Sequence, residues 1–442
     1  MRRRLRHLPA IAVLAAGLTA LATVPAQAAT ATVAPSAPFT AAEGDFYAPP
    51  ATLPTHNGDV IRHQNSRVIT DPLTNSAPPA TAQRIMYRST DTHGVPIAVT
   101  GTVFSPTTAW QGPGKRPLVS YAVGTQGQGD QCAPSHLFNQ GLEYETLFIS
   151  QLLAKGAAVV VTDYEGLGTP GVHTYMNRLS QAHAVLDAAR AAQRLSNDAI
   201  PADGLVGLYG YSQGGGATAA AAELQPTYAP ELKVVGSAIG APPADLSAVA
   251  GSVDGTTIGG VIGYTINGLV ASYPELAAVR SLLNQQGNDM LDMVKYECIG
   301  ETTLRFGLQP TSSYTKTSQP VSSFLGQEPY KSIVDSQRIG RLRPTAPVYI
   351  WQGLNDDVIP FAQSRQLAVD WCGKGSTVQF NELPIPAAVP KSSVGHVLPM
   401  MLGGGDAMAW LYQRFANATP AAPAASGAPS NCGSLPSASG VA

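Results

Sequence analysis

Charge is scarce in this 442-residue chain. Only 13% of its residues are Asp, Glu, Lys or Arg, about half the usual ~25%. With 27 basic and 29 acidic residues the formal net charge is −2. No basic footprint exists, so nucleic acid is not an expected partner. Cysteine is sparse as well. The four present, Cys132, Cys298, Cys372 and Cys432, lack the close spacing of a zinc site, so no metal is expected. No internal repeat is evident, and the 44 Gly and 36 Pro follow no collagen period. Past the N-terminus no apolar run reaches the ~20 residues of a membrane span. What the chain does have is apolar side chain. It is 44% hydrophobic, enough to build a large core and to exclude disorder.

The N-terminus reads as a leader. Arg2, Arg3, Arg4 and Arg6 precede an apolar run over 11–21, and Pro25-Ala26-Gln27-Ala28 supplies an A-x-A cleavage signal. This is the layout of a secretory signal peptide over residues 1–28, so the protein is expected outside the cell. Export favours oxidation, and the four cysteines are expected as two disulfides with three pairings open. Residues 29–54 are rich in Ala, Thr and Pro and read as an extended segment. Residues 418–442 read as a low-complexity tail, which Cys432 can tie back to the body.

Between these ends strand-like and helix-like segments alternate. Residues 97–104, 117–123, 157–162, 204–209, 233–239 and 347–351 read as strands, several of them short β-branched runs that suit fully buried positions. Residues 177–195 carry apolar side chains at i, i+3, i+4 spacing, and 217–224 is mostly Ala, a strong helix former. The alternation predicts an α/β fold with a mostly parallel sheet covered by helices. Residues 55–240 and 344–417 form its two parts. From 241 to 343 no strong strand appears, while 258–270 and 275–294 show helical patterning. This stretch is expected to be a mainly helical cap or lid over the ligand edge of the sheet.

Gly210-Tyr211-Ser212-Gln213-Gly214 is a G-x-S-x-G between an apolar strand and an Ala-rich helix. Strand–turn–helix is the setting in which such a turn lifts a serine above a sheet. The Gln213 N–H then lies at a helix N-terminus and can meet a developing oxyanion. A serine needs a base. Of eight histidines only His396 follows Ser212, and it is expected in a loop before the last helix. The orienting acid should follow a late strand, which leaves Asp356 or Asp357. A second oxyanion donor is expected after an early strand: the Thr125 N–H, with Gly124 next.

With these segments in view the chain resembles the secretory lipases, the lipase A-like branch of the α/β-hydrolases. The resemblance spans roughly residues 46–417. It rests on Gly124-Thr125 with Cys132-Ala133-Pro134-Ser135, on Asp163-Tyr164-Glu165-Gly166-Leu167-Gly168, on the Ser212 turn, on 353–360 and on Gly395-His396. It implies a helical cap with a lid, the triad acid at Asp356, disulfides Cys132–Cys298 and Cys372–Cys432, and structural support from Asp163 and Tyr164. Some relatives carry an acidic residue in the oxyanion loop, where this chain has Gly124-Thr125.

The expected function is a secreted serine carboxylester hydrolase, a lipase or esterase acting on small-molecule or lipid esters. It needs no cofactor and meets lipid surfaces transiently through the 258–270 stripe if that stripe opens as a lid. Two alternatives stand beside it. One is a serine peptidase or polyester hydrolase on the same triad, for which Arg280, Lys295, Glu297 and Arg305 in the cap could read a substrate terminus. The other is a catalytically silent hydrolase fold used for binding.

Overall fold

The computed structural model describes residues 46–195, 199–387, 389–418 and 427–435. The leader expected over 1–28 and most of the 29–54 segment lie outside them. Nine strands form one sheet: β1 (Val60–Ser66), β2 (Ala80–Thr90), β3 (Pro96–Pro106), β4 (Leu118–Ala122), β5 (Ala158–Thr162), β6 (Val206–Tyr211), β7 (Val234–Gly240), β8 (Val348–Gly353) and β9 (Val378–Leu383). Their order across the sheet is β1-β2-β3-β5-β4-β6-β7-β8-β9. The first pairings, through β3 with β5, are antiparallel, and all from β5 onward are parallel. The strand order reverses at β4, and ligand sites of open α/β sheets sit at such switch points, beyond the carboxyl ends of the strands.

The central strands are buried along their whole length, which is why they read as continuous apolar runs. The two edge strands, β1 and β9, and β2 beside the first are different. β1 is Val-Ile-Arg-His-Gln-Asn-Ser and largely solvated, β2 mixes Gln83, Arg84 and Arg88 among its apolar residues, and β9 shows only a brief alternation. None of the three has a strong sequence signal.

The helices are α1 (Pro134–Gln140), α2 (Thr146–Ala154), α3 (Arg178–Arg194), α4 (Gln213–Tyr228), α5 (Leu246–Val253), α6 (Val261–Ser272), α7 (Gln285–Val294), α8 (Ile299–Phe306), α9 (Tyr330–Ser336), α10 (Phe361–Gly373) and α11 (Val394–Asn417). Helices α3 and α4 pack on each other and on the sheet, while α2 and α11 meet on the opposite face. The Asn177 side chain caps α3 by accepting from the Ser180 N–H. Helix α4 is buried almost throughout, and its alanines permit that close packing.

Between β7 and β8 the described chain holds only α5–α9 and short 3-10 turns. The helical pattern read over 275–294 divides into a 3-10 stretch, Pro274–Ser281, and α7. This insertion is bound to the body at several places, two of which stand out. Past its midpoint, between α7 and α8, Cys298 forms a disulfide with Cys132, flanked by Gln128 N–H to Glu297 O at 3.0 Å and Ile299 N–H to Gln126 O at 2.8 Å. At its return, buried Glu223 of α4 accepts from Gly340 N–H, Leu342 N–H and Trp371 Nε1. The second disulfide, Cys372–Cys432, ties the tail to α10. Both pairings are those the family resemblance implies. No helix among the described residues is long and apolar enough to cross a membrane.

Candidate active site

Three strand ends converge at the switch point. At the end of β6 the chain turns through Ser212, which has φ +57°, a conformation costing of order 1–3 kcal/mol for a non-glycine residue. The turn is enforced by packing. A Cβ on Gly214 would lie 1.9 Å from Ala122 O, and one on Gly210 would lie 2.3 Å from Gly214 O, so strand and helix approach as only glycine allows. The Ser212 N–H donates to Gly240 O at 3.0 Å.

Ser212 Oγ lies 2.8 Å from His396 Nε2, and His396 Nδ1 lies 2.8 Å from Asp356 Oδ2. Asp356 Oδ2 also accepts from Gln352 Nε2 at 2.9 Å. Its Oδ1 accepts from Val358 N–H and Ile359 N–H, both at 2.9 Å. Four donors therefore hold this carboxylate, and the imidazole is one of them. Asp357, the other acid left open by the sequence, faces elsewhere: its Oδ2 accepts from Ser393 N–H at 2.8 Å.

His396 differs in setting from the expected loop. It lies in the first turn of α11, despite Gly395 and Pro399. Tertiary contacts override these weak helix formers. Asp357 anchors the residue before the helix, and Tyr211 OH donates to His396 O at 2.7 Å.

Gln213 opens α4, where the first backbone N–H groups have no intrahelical acceptor. Its side-chain Nε2 lies 3.0 Å from His173 Nε2, while His173 Nδ1 lies 2.9 Å from Glu165 O. A carbonyl can only accept, so Nδ1 carries the proton and Nε2 accepts from Gln213. Burial pushes the His173 pKa down to about 4, which keeps this tautomer neutral. No sequence pattern marks His173 as a partner of Gln213.

Thr125 lines the same cleft as Ser212, and its hydroxyl lies 2.6 Å from Tyr175 OH. Gly124 is a correction. Its N–H already donates to Glu145 Oε1, so this donor is in use within the protein. Glu145 is fully buried, and burial raises its pKa to about 7. No pattern in the sequence marks it: it is one of two Glu ahead of an apolar helix. Asp163 is buried too, accepting from Ser135 N–H, Ser135 Oγ and Thr100 Oγ1. Tyr164 OH donates to Val123 O at 2.7 Å. These two residues brace the loops around the turn.

The cleft above Ser212 has about 1130 Å³ of empty space, counting the part open to solvent. The helical insertion supplies most of its wall: Leu246 and Val253 from α5, Ile262, Ile266 and Leu269 from α6, and Val279, Val321 and Phe324 beyond. No charged side chain among the described residues lines it. The apolar stripe over 258–270 is therefore part of this wall. On another side of α6, a Cβ on Gly268 would lie 2.5 Å from Tyr175 N, so that glycine seats the helix on the body.

A family model described as secretory lipase matches residues 133–422. Lipase 2 of Candida albicans is 32% identical over 398 residues, covering 86% of this chain and 82% of its own. A secreted triacylglycerol lipase of Malassezia furfur is 31% identical over 277 residues, 60% of this chain and 58% of its own. The closed-state crystal structure of Candida antarctica lipase A superposes with a TM-score of 0.71 at 23% identity, covering 89% of this chain and 90% of that one. The chain belongs to the secretory lipase family and is an ester hydrolase of the α/β-hydrolase fold.

Proposed function

We propose that this protein is a secreted carboxylester hydrolase that cleaves acyl esters, acylglycerols among them, through a Ser212–His396–Asp356 triad. What carries the proposal is the relay itself, Asp356 Oδ2 to His396 Nδ1 and His396 Nε2 to Ser212 Oγ, each at 2.8 Å. Ser212 attacks the ester carbonyl while His396 takes its proton. The imidazolium returns that proton to the leaving alcohol, and water repeats the sequence on the acyl-enzyme. Asp356 holds the Nδ1–H tautomer. The Gln213 and Thr125 N–H groups meet the oxyanion. Residues 241–343 act as the cap, and its apolar wall receives the acyl chain.

The charges on the cap favour an ester over a peptide. Arg280 and Lys295 pair with Asp292, Arg305 pairs with Glu297, and none of them lines the cleft. Among the described residues no charge stands ready there for a peptide terminus.

The test is Ser212→Ala, assayed on p-nitrophenyl esters and a triglyceride chain-length series, with fluorophosphonate labelling of both proteins. Wild type should take up one label per chain and the variant none, with hydrolysis lower by several orders of magnitude. Hydrolysis near the wild-type rate in Ser212→Ala would overturn the assignment. Absence of labelling in the wild type would favour a silent binding protein.

A further inference from the structure

The loop that carries Thr125 is gripped by a second segment in a one-to-one pattern. Glu143, Tyr144 and Glu145 lie between α1 and α2. They meet Gly124, Thr125 and Gln126 in reverse order. Gly124 N–H donates to Glu145 Oε1. Tyr144 OH donates to Thr125 O at 3.3 Å. Gln126 Nε2 donates to Glu143 Oε1 at 3.2 Å and to Gly124 O at 3.4 Å. Glu145 Oε2 accepts from Tyr121 OH at 2.6 Å, and its N–H donates to Glu143 Oε1 at 3.0 Å.

Both acids are buried, and neither forms an ion pair with a Lys or Arg among the described residues. Burying a carboxyl without a cation is unfavourable, and an apolar side chain would fill the space without that penalty. What an acid supplies here is hydrogen bonding to the loop. The geometry of that bonding is specific. The Gly124 N–H belongs to the peptide plane before the Gly124–Thr125 plane, and the Thr125 carbonyl to the plane after it. Both flanking planes are pinned. Within the middle plane Gly124 O is trans to the Thr125 N–H. Holding that oxygen directs the N–H the opposite way.

We propose that Glu143, Tyr144 and Glu145 are positioning residues that set the direction of the Thr125 N–H toward the carbonyl oxygen of the bound ester, with Glu145 the principal one. This rests on the esterase reading of the site and names what orients its second oxyanion donor.

The test compares Glu145→Leu, Glu145→Gln and Tyr144→Phe, with rates normalised to the fraction of Ser212 titrated by a fluorophosphonate. Loss of the loop's register removes one oxyanion donor, so Glu145→Leu should lower kcat by about 10²- to 10³-fold and leave KM within about twofold. Gln retains an oxygen for the Gly124 N–H, and Glu145→Gln should recover kcat to within about fivefold of wild type. Tyr144→Phe removes one bond at a half-exposed site and should cost about fivefold in kcat. The clamp is overturned if Glu145→Leu keeps normalised kcat within about threefold of wild type, or if KM moves in place of kcat. It is also overturned if Gln fails to rescue. Should Glu145→Leu not fold, Tyr144→Phe decides, and an unchanged kcat overturns the clamp. Hydrolysis that does not depend on Ser212 sinks the functional reading and the clamp together. Ser212-dependent hydrolysis with wild-type-like variants sinks the clamp alone.

Discussion

Replacing Asp356 by Asn tests the relay at its least exposed member. An Asn has two ways to sit in this pocket. If its oxygen stays with Val358 N–H and Ile359 N–H, its Nδ2 takes the place of Oδ2 and points at Gln352 Nε2 and His396 Nδ1. Gln352 cannot turn to accommodate it, because Gln352 Oε1 accepts from Ser364 Oγ at 2.8 Å and Nε2 donates to Ile359 O at 3.1 Å. His396 must then accept at Nδ1, which moves its proton to Nε2 and confronts Ser212 with a donor in place of a base. In the other orientation two backbone N–H groups lose their acceptor, at ~1–3 kcal/mol each. The wrong tautomer is the less costly outcome, and in a serine triad it lowers kcat by about 10⁴, or ~5.5 kcal/mol of transition-state stabilisation. Asp357→Asn is the counterpart. Its oxygen can still accept from Ser393 N–H, so kcat should stay within about fivefold, the effect of ~1 kcal/mol in one hydrogen bond. The assay is steady-state hydrolysis of p-nitrophenyl butyrate on folded, active-site-titrated protein. The reasoning is refuted if Asp356→Asn keeps more than about one-hundredth of wild-type kcat, or if Asp357→Asn proves the more damaging of the two.

Gly214→Ala brings a Cβ to 1.9 Å from Ala122 O and should lose about 3 kcal/mol of stability in chemical denaturation. The control is Gly251→Ala in α5, where the added carbon meets nothing within 4 Å and should gain about 0.5–1 kcal/mol. Similar midpoints for the two variants would refute the close approach at the turn. Burial depresses the folded-state pKa of His173 from 6.5 to about 4, so its contribution is complete above pH 6.5 and is lost as pH falls through that window, by about 3 kcal/mol. Glu145 acts in the opposite sense: its pKa is raised from 4.5 to about 7, so its contribution is complete below pH 4.5 and is lost as pH rises toward 7. Denaturation curves of His173→Gln at pH 7 and pH 4.5 should therefore show a smaller acid loss than wild type. Equal losses would rule out a buried neutral His173.

Some of this molecule was legible as sequence because one physical cause dominated locally. The buried strands β4 to β8 are runs of apolar and β-branched residues. The Ser212 turn is fixed by glycines at two backbone collisions. With a single histidine beyond it, the base had no competitor. Other parts depend on partners distant in the chain. Strand β1 is held by pairing with β2, and no alternation of its own marks it. The α11 start is a helix because Asp357 and Tyr211 secure a segment whose glycine and proline argue against one. Gly124 and Thr125 look equivalent as letters. Only the arrival of Glu145, from a separate loop, occupies the Gly124 N–H and sets the two apart. The choice between Asp356 and Asp357 likewise lies in which carboxylate the imidazole meets.

The bond between Cys132 and Cys298 bears on how such an enzyme could be remodelled. It joins the loop after β4 to the junction of α7 and α8, and the two backbone bonds beside it make the same connection. The helical insertion over the cleft and the loop after β4 thus form one mechanical piece. A cap from a relative is not an interchangeable part here. A chimera cut at 241 and 343 inherits the new roof but breaks the seam at Gln126, Gln128 and Cys132. An exchange intended to alter chain-length preference must carry those loop residues with it, or it will change the rate constant along with the specificity.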